Sequence, residues 1–352
     1  MDALTAASPR RRSASIGLAC ALALLLALLA AGSVQAKSPF APLDRPGPPL
    51  RVDREKLRDS LSCSAGVKDA ARAPVLLVPA TGVNSDQNFS WNYENLFDQQ
   101  GIPYCDSDQA GRRNTNLTDI QRRGQYLTYA IRKMSAMAGR RIAIVGHSQG
   151  GMAMRWPLRF WPDTRSMVDD VIGFAGTNRG TDEAKDCTDE CSPAAAQQSS
   201  DSNFIRALNS RAETFRGISY TEVATERDQT VTPQPYASSV SGPGRITNVL
   251  VQEVCPNSIA EHLQVGTVDS AAAALALDAL DHDGPAKPER ISPLVCASPY
   301  HPGVDYLTAP PQIVDALKNL YVDGGPTGPE PKLRCYVYKD RKTCKRERRA
   351  SR

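Results

Sequence analysis

The sequence predicts an α/β protein, a mostly parallel sheet with helices packed on both faces. Three observations predict it. Short runs of branched apolar residues recur along the chain and alternate with stretches of helical period. The runs are apolar throughout, as strands buried on both faces are. The pentapeptide Gly146-His147-Ser148-Gln149-Gly150 stands directly between one such run and a helical pattern.

The elements follow in chain order. Arg10, Arg11 and Arg12 precede an uncharged apolar run over 16–31, then Val34-Gln35-Ala36, the pattern of an export leader cut after Ala36. That run is shorter than the roughly 20 residues a bilayer span needs. Residues 1–36 are therefore expected as a signal peptide, with no stable membrane span and a secreted (extracellular or periplasmic) mature chain. Residues 37–62, rich at first in proline and polar residues, are expected as an extended lead-in. The first strand is expected over 75–78, Val75-Leu76-Leu77-Val78, closed by Pro79. Apolar Ile120, Leu127, Ile131 and Met134 predict a helix over 117–137. Strands are expected over 142–145 and 171–175, with a helix over 152–160 between them. The segment 182–202 is polar, rich in small residues and follows the third strand, which predicts a lid loop. A helix over 204–212, strands over 218–223 and 249–254, an Ala-rich helix over 271–280 and a short amphipathic helix over 313–321 complete the pattern. One domain is expected over 63–344, with a tail over 345–352.

Composition excludes several classes. Hydrophobic residues make up 41% and charged residues 23% of 352, which rules out a wholly disordered or fibrous chain. The formal net charge of +4 falls to about +2 without the leader, too little to argue for nucleic acid. Lys339, Arg341, Lys342, Lys345, Arg346, Arg348, Arg349 and Arg352 crowd the C-terminus, and a solvated, mobile tail is expected there. Nine cysteines become eight once Cys20 leaves with the leader, and an even number in an exported chain reads as disulfides. Proximity pairs Cys187 with Cys191 and Cys335 with Cys344, leaving Cys63, Cys105, Cys255 and Cys296 open. No Cys or His spacing suggests zinc, and no cofactor is implied. Asn88-Phe89-Ser90 and Asn116-Leu117-Thr118 fit an N-glycosylation pattern.

The pentapeptide carries the chemistry. A serine on a sharp strand-to-helix turn needs small neighbours two residues away, and Gly146 and Gly150 supply them. The helix start beyond it favours developing negative charge. A serine hydroxyl also needs a base. Of four histidines, His147 lies inside the turn and points away from the hydroxyl of Ser148. The chain order nucleophile, acid, base selects Ser148, Asp228 and His262, with Glu226 as the rival acid and His282 as the fallback base. Two donors are needed for an oxyanion: the backbone N–H of Gln149 and Thr81, from the loop Pro79-Ala80-Thr81-Gly82.

At these residues the sequence resembles the Candida antarctica lipase B family of α/β-hydrolases. Leu76 to Gly82 resembles the family's oxyanion loop, Ser148-Gln149-Gly150-Gly151 its nucleophile turn, Asp228 to Gln234 its acid segment and Cys255 to His262 the stretch with its base. The resemblance runs over roughly 63–344. It implies disulfides Cys63–Cys105, Cys255–Cys296 and Cys335–Cys344, leaving Cys187 and Cys191 to stiffen the lid. It supports Asp228 over Glu226 and His262 over His282. His147, Thr177 and Thr230, placed as substrate contacts, stand where the best-known member has Trp, Asp and Ile. These exchanges thin an apolar rim. The resemblance implies a lipase cleaving triacylglycerol or related esters, with a lipid or ester as its partner at an oil–water interface for which the thinner rim predicts weaker affinity than the family's; a monomer is expected. The alternatives are a carboxylesterase or polyester hydrolase, an amidase, and a non-catalytic envelope-binding protein.

Overall fold

The computed structural model describes residues 38–108, 116–187, 189–321 and 326–350. The leader expected over 1–36 lies outside these, as do residues 351 and 352 of the expected tail. Everything below belongs to the unit Phe40–Arg352.

Helix α1 (Arg54–Asp59) leads into strand β1 (Leu61–Cys63). Strand β2 (Val75–Val78), short helices α2 (Ser85–Phe89) and α3 (Tyr93–Gln99), and strand β3 (Tyr104–Ser107) follow. Helix α4 (Ile120–Ala138) returns the chain to β4 (Ile142–His147), which runs into α5 (Gln149–Ala153) and α6 (Arg155–Phe160). Strand β5 (Val168–Phe174), helices α7 (Pro193–Gln197) and α8 (Asn203–Leu208), and strands β6 (Ser219–Ala224) and β7 (Arg245–Leu250) come next. The α-helices after β7 are α9 (Val251–Val254), α10 (His262–Val265), α11 (Ser270–Asp281), α12 (Ala309–Tyr321) and α13 (Arg341–Ala350).

Among the described residues the strands form one sheet of seven, in the order β1-β3-β2-β4-β5-β6-β7. Only the β1–β3 pair is antiparallel; the other neighbours run parallel. Successive strand side chains point to opposite faces, and the core divides accordingly. Leu76, Val78, Ile142, Ile144 and Val171 pack with Leu127, Ile131 and Trp156 on one face. Val75, Leu77, Ala143, Val145 and Ile172 pack with Phe89, Tyr93 and Leu275 on the other. This is the doubly covered parallel sheet the sequence predicts.

Several boundaries differ from expectation, each for a local reason. The lead-in over 37–62 is not extended throughout: it holds α1 and then β1, whose Cys63 pairs in register with Cys105. The predicted 117–137 helix starts at Ile120 because Asp119 caps it, accepting the Gln121 N–H at 3.0 Å, and ends at Gly139, φ 63°. The helix over 152–160 divides at Met154, since Pro157 has no N–H to continue a ladder and sits in the first turn of α6. The helix expected over 204–212 closes at Leu208, ahead of Arg211 at φ 70°. The strand placed over 249–254 lies instead over 245–250. It is the sheet edge, half-exposed, so its apolar signal is weak, and the run Val249-Leu250-Val251 straddles its junction with α9.

Two further expectations fail. The segment 182–202 is not a bare loop: α7 buries Ala194 and Gln197, and Thr181 donates its N–H to Gln198 O at 2.8 Å. The basic tail is helical, as α13, with Cys344 buried. Disulfides join Cys63–Cys105, Cys187–Cys191, Cys255–Cys296 and Cys335–Cys344. Asn88 is 3% and Asn116 0% exposed, so neither asparagine is open to a glycan.

The sheet is closed around one glycine in particular. A Cβ on Gly150 would stand 2.0 Å from Val78 O, a backbone atom that cannot move aside. Gly150→Ala is therefore expected to destabilise the fold by about 3 kcal/mol or more, read as a lowered urea midpoint at unchanged m-value.

Candidate active site

The site lies at the C-terminal ends of the parallel strands, where open α/β sheets place their ligands. Each residue arrives there by a separate local device. Strand β4 ends at His147, and Ser148 turns the chain into α5 at φ 53°, ψ −120°. Space for that turn exists because Gly146 and Gly150 lack side chains: a Cβ on Gly146 would stand 2.6 Å from Gly150 C. Asp228 follows β6, and its Oδ1 accepts the backbone N–H groups of Thr230 at 2.9 Å and Val231 at 2.7 Å. His262 opens α10, whose first turn is capped by the Glu261 carboxylate.

These three side chains meet. His262 Nδ1 stands 2.8 Å from Asp228 Oδ2, and His262 Nε2 stands 3.0 Å from Ser148 Oγ. Nδ1–H donates to the carboxylate, which leaves the Nε2 lone pair for the serine hydroxyl proton. The rivals are elsewhere. Glu226 is exposed, and its N–H donates to Gln252 Oε1. His282 ends α11 with Nδ1 donating to Asp278 O at 2.9 Å.

Thr81 and Gln149 lie side by side. Gln149 Nε2 donates to Thr81 Oγ1 at 3.1 Å, and Gln198 Nε2 donates to the same oxygen at 2.9 Å. With two donors on its lone pairs, the Thr81 hydroxyl has only its proton to offer. The backbone N–H of Gln149 heads α5, where no preceding turn supplies an acceptor. Behind them, buried Arg123 donates to Gln149 Oε1 and, at 2.6 Å, to Pro79 O. Burial pulls the Arg123 guanidinium down to about 9. Asn88 Oδ1 takes the Ala80 N–H at 2.9 Å, and Asn116 Nδ2 donates to Val83 O at 2.8 Å. Sequence reasoning missed Arg123, Asn88, Asn116 and Gln198. A lone arginine on the apolar side of a helix pattern is the one signal that points to any of them.

A cavity of about 560 Å³ opens over Ser148 and His262. Ala80, Trp91, Ala184, Ala195, Leu263 and Ile313 give it apolar walls. His147, Thr177 and Thr230 also line it. Thr177 Oγ1 donates to Gln198 Oε1 at 3.0 Å. His147 is buried, with Nδ1 3.3 Å from Asn88 Oδ1 and Nε2 3.3 Å from His262 O. A neutral imidazole has one N–H for these two acceptors. Burial first, and the neighbouring His262 second, pull His147 down to about 3. Among the described residues no cluster of His, Cys, Asp or Glu is arranged to hold a metal ion.

A seven-stranded, mostly parallel sheet carrying a serine on a strand-to-helix turn, with an aspartate after one later strand and a histidine at the start of a short helix after the next, defines an α/β-hydrolase fold. The resemblance read in the sequence is to lipase B, and the comparisons bear it out. The chain is 30% identical over 223 residues to Lipase B of Pseudozyma antarctica, covering 61% of this chain and 64% of that protein. It thus spans under two thirds of that curated relative's length. The crystal structure of Aspergillus fumigatus lipase B superposes with a TM-score of 0.71 at 25% identity, over 82% of this chain and 73% of the other. No family model matches the chain.

His147 makes a pH signature. Its ordinary value is 6.5 and its folded value about 3, so the unfolded chain binds the proton first. The stability this residue supplies is fully present above about 6.5 and is lost as pH falls toward 3. Relative to a His147→Gln variant, the parent is expected to lose an additional 2–3 kcal/mol, roughly, between pH 6.5 and 4.5, measured by urea unfolding at both pH values.

Proposed function

We propose that this chain is a serine ester hydrolase that works through an acyl-enzyme, with Ser148 as nucleophile, His262 as general base and acid, and Asp228 as the residue that orients and stabilises the imidazolium. The observation that carries the reading is the unbroken line Ser148 Oγ–His262 Nε2 at 3.0 Å and His262 Nδ1–Asp228 Oδ2 at 2.8 Å.

Ser148 attacks the ester carbonyl as His262 Nε2 takes its proton. The charge that develops on the carbonyl oxygen is met by the N–H groups of Gln149 and Thr81 and by the Thr81 hydroxyl. His262 then protonates the leaving alcohol. Water attacks the acyl-enzyme by the same route and frees the acid. The apolar walls suit an acyl chain, and likeness to lipase B supports lipid esters, triacylglycerol first, as the substrate class. Four disulfides are compatible with an oxidising compartment, which supports export. Among the described residues no helix is long and apolar enough to cross a membrane. One observation favours a second reading, an esterase on soluble esters: Glu183, Glu261 and Thr230 put polar groups into the cavity lining.

Hydrolysis of short and long nitrophenyl esters and of emulsified triglyceride separates the two. A lipase turns over the long esters and the emulsion; an esterase is confined to the short ones. In either case Ser148→Ala is expected to lower kcat/KM by about 10⁴-fold or more. Full activity in that variant would end the assignment. Thr81→Val, which keeps shape and backbone N–H but removes the hydroxyl donor, is expected to lower kcat by roughly 10²–10³-fold with KM little changed.

A further inference from the structure

Helix α13 concentrates charge on one side. It turns Thr343 and Cys344 into the body and leaves Arg341, Lys342, Lys345, Arg346, Arg348 and Arg349 exposed. Its one acidic residue, Glu347, is paired with Arg346 at 2.7 Å. The helix is fixed rather than trailing, because Cys344 is bonded to Cys335 and Asp340 accepts the Thr343 N–H at 2.6 Å. The polarity extends to the whole chain. Residues 339–352 hold eight Lys and Arg against two Asp and Glu, a net of +6, while the full chain stands at +4, so everything before them sums to −2.

The helix also lies on the side of the molecule that carries the segment 182–202. Gly328 donates its N–H to Cys191 O at 2.9 Å, and Lys332 Nζ reaches Arg348 O at 3.4 Å. The segment joining these two contacts is five residues, at most about 18 Å of chain. The segment 182–202 lines the cavity through Glu183, Ala184, Cys187 and Ala195.

We propose that α13 is a docking surface for an anionic lipid bilayer, which it meets side-on through Lys342, Lys345, Arg346 and Arg349. These residues recur three or four positions apart and share one helix face. The helix has no apolar stripe to insert, so the attraction is to fixed negative charge alone, reversible and salt-sensitive. A bilayer fits better than a nucleic acid for two reasons. None of the exposed large hydrophobic side chains falls within 326–350, so no aromatic platform is offered for base stacking. A wrapped polyanion would also meet the net negative remainder of the chain, whereas a flat surface meets one helix. The inference is independent of the reaction assigned to Ser148, since binding is read without turnover.

The test is co-sedimentation of the full chain with vesicles of phosphatidylcholine alone and with vesicles containing about 30% phosphatidylglycerol, at low and high salt. An apolar leader would bind both alike, so the readout is the ratio of the two partition coefficients. The control is the triple variant Lys342→Gln, Lys345→Gln, Arg349→Gln, which keeps Cys344, Thr343 and helix-forming side chains. The chain is expected to favour the anionic vesicles strongly at low salt and to lose that preference in high salt. At about fivefold per cation, the variant is expected to lose roughly a hundredfold of the ratio, with an unchanged unfolding midpoint and unchanged hydrolysis of a short soluble ester. Equal binding to both vesicle types, a variant that binds like the parent, or retention on immobilised DNA without vesicle binding would each overturn the proposal.

Discussion

At Ser148 a buried strand becomes a helix within one residue, at φ 53°, a conformation that costs a non-glycine residue about 1–3 kcal/mol. The surroundings hold it there. Gly146 and Gly150 leave no atoms where the turn needs space, and β2 lies against β4 in the register Val78↔Gly146. That register has a second effect: it brings the loop after β2 alongside the start of α5. The tight turn that exposes the serine thus also sets Thr81 beside Gln149. The proposed nucleophile and the proposed oxyanion donors arise from a single packing constraint.

The proposed donors are then fixed by buried polar side chains. Arg123 ties Pro79 O to the Gln149 amide, that amide orients Thr81, and Gln198 approaches Thr81 from the segment 182–202. Burying a guanidinium is costly unless its donors are used; Arg123 gives its two terminal nitrogens to Gln149 Oε1 and Pro79 O, while its Nε has no partner. A preorganised donor does not have to reorient as charge develops, which is the main source of its effect on rate. Asn88 serves two walls at once, holding the Ala80 N–H and standing against His147.

The sequence was most legible where pattern and chemistry coincide. The buried runs over 75–78 and 142–145 are continuously apolar, and the elbow between β4 and α5 follows from two glycines and a serine. The residues Asp228 and His262 were legible from chain order and resemblance, and the structure brings both to Ser148. Strands β1 and β3 were not legible. They are three and four residues long, contain Ser and Asp, and are held by a partner strand and a disulfide distant in sequence. The helix at 341–350 was hidden for a different reason. Its inward side is Thr343 and Cys344, too little apolar surface to give a period, and its order comes from the Cys335–Cys344 closure. Arg123, Asn88 and Gln198 act through tertiary hydrogen bonds, which leave no period in a sequence.

The floor of the cavity shows how tightly shape and chemistry are joined. The His147 ring lies 5.4 Å from the His262 ring and rests against Gly266, where a Cβ would come within 2.0 Å of it. Gly266 has an ordinary backbone conformation there, φ −87°, so glycine is required by the ring and not by the turn. Gly266 closes α10, and His262 opens it, four residues earlier and therefore on the same side of the helix. A bulkier ring at 147 would press on the end of α10 and transmit the displacement to the imidazole that stands 3.0 Å from Ser148 Oγ. Volume at 147, the absence of a side chain at 266 and the alignment of His262 are thus one coupled quantity. The cavity cannot be reshaped at its floor without changing the His262–Ser148 geometry above it, on which the proposed proton transfer rests.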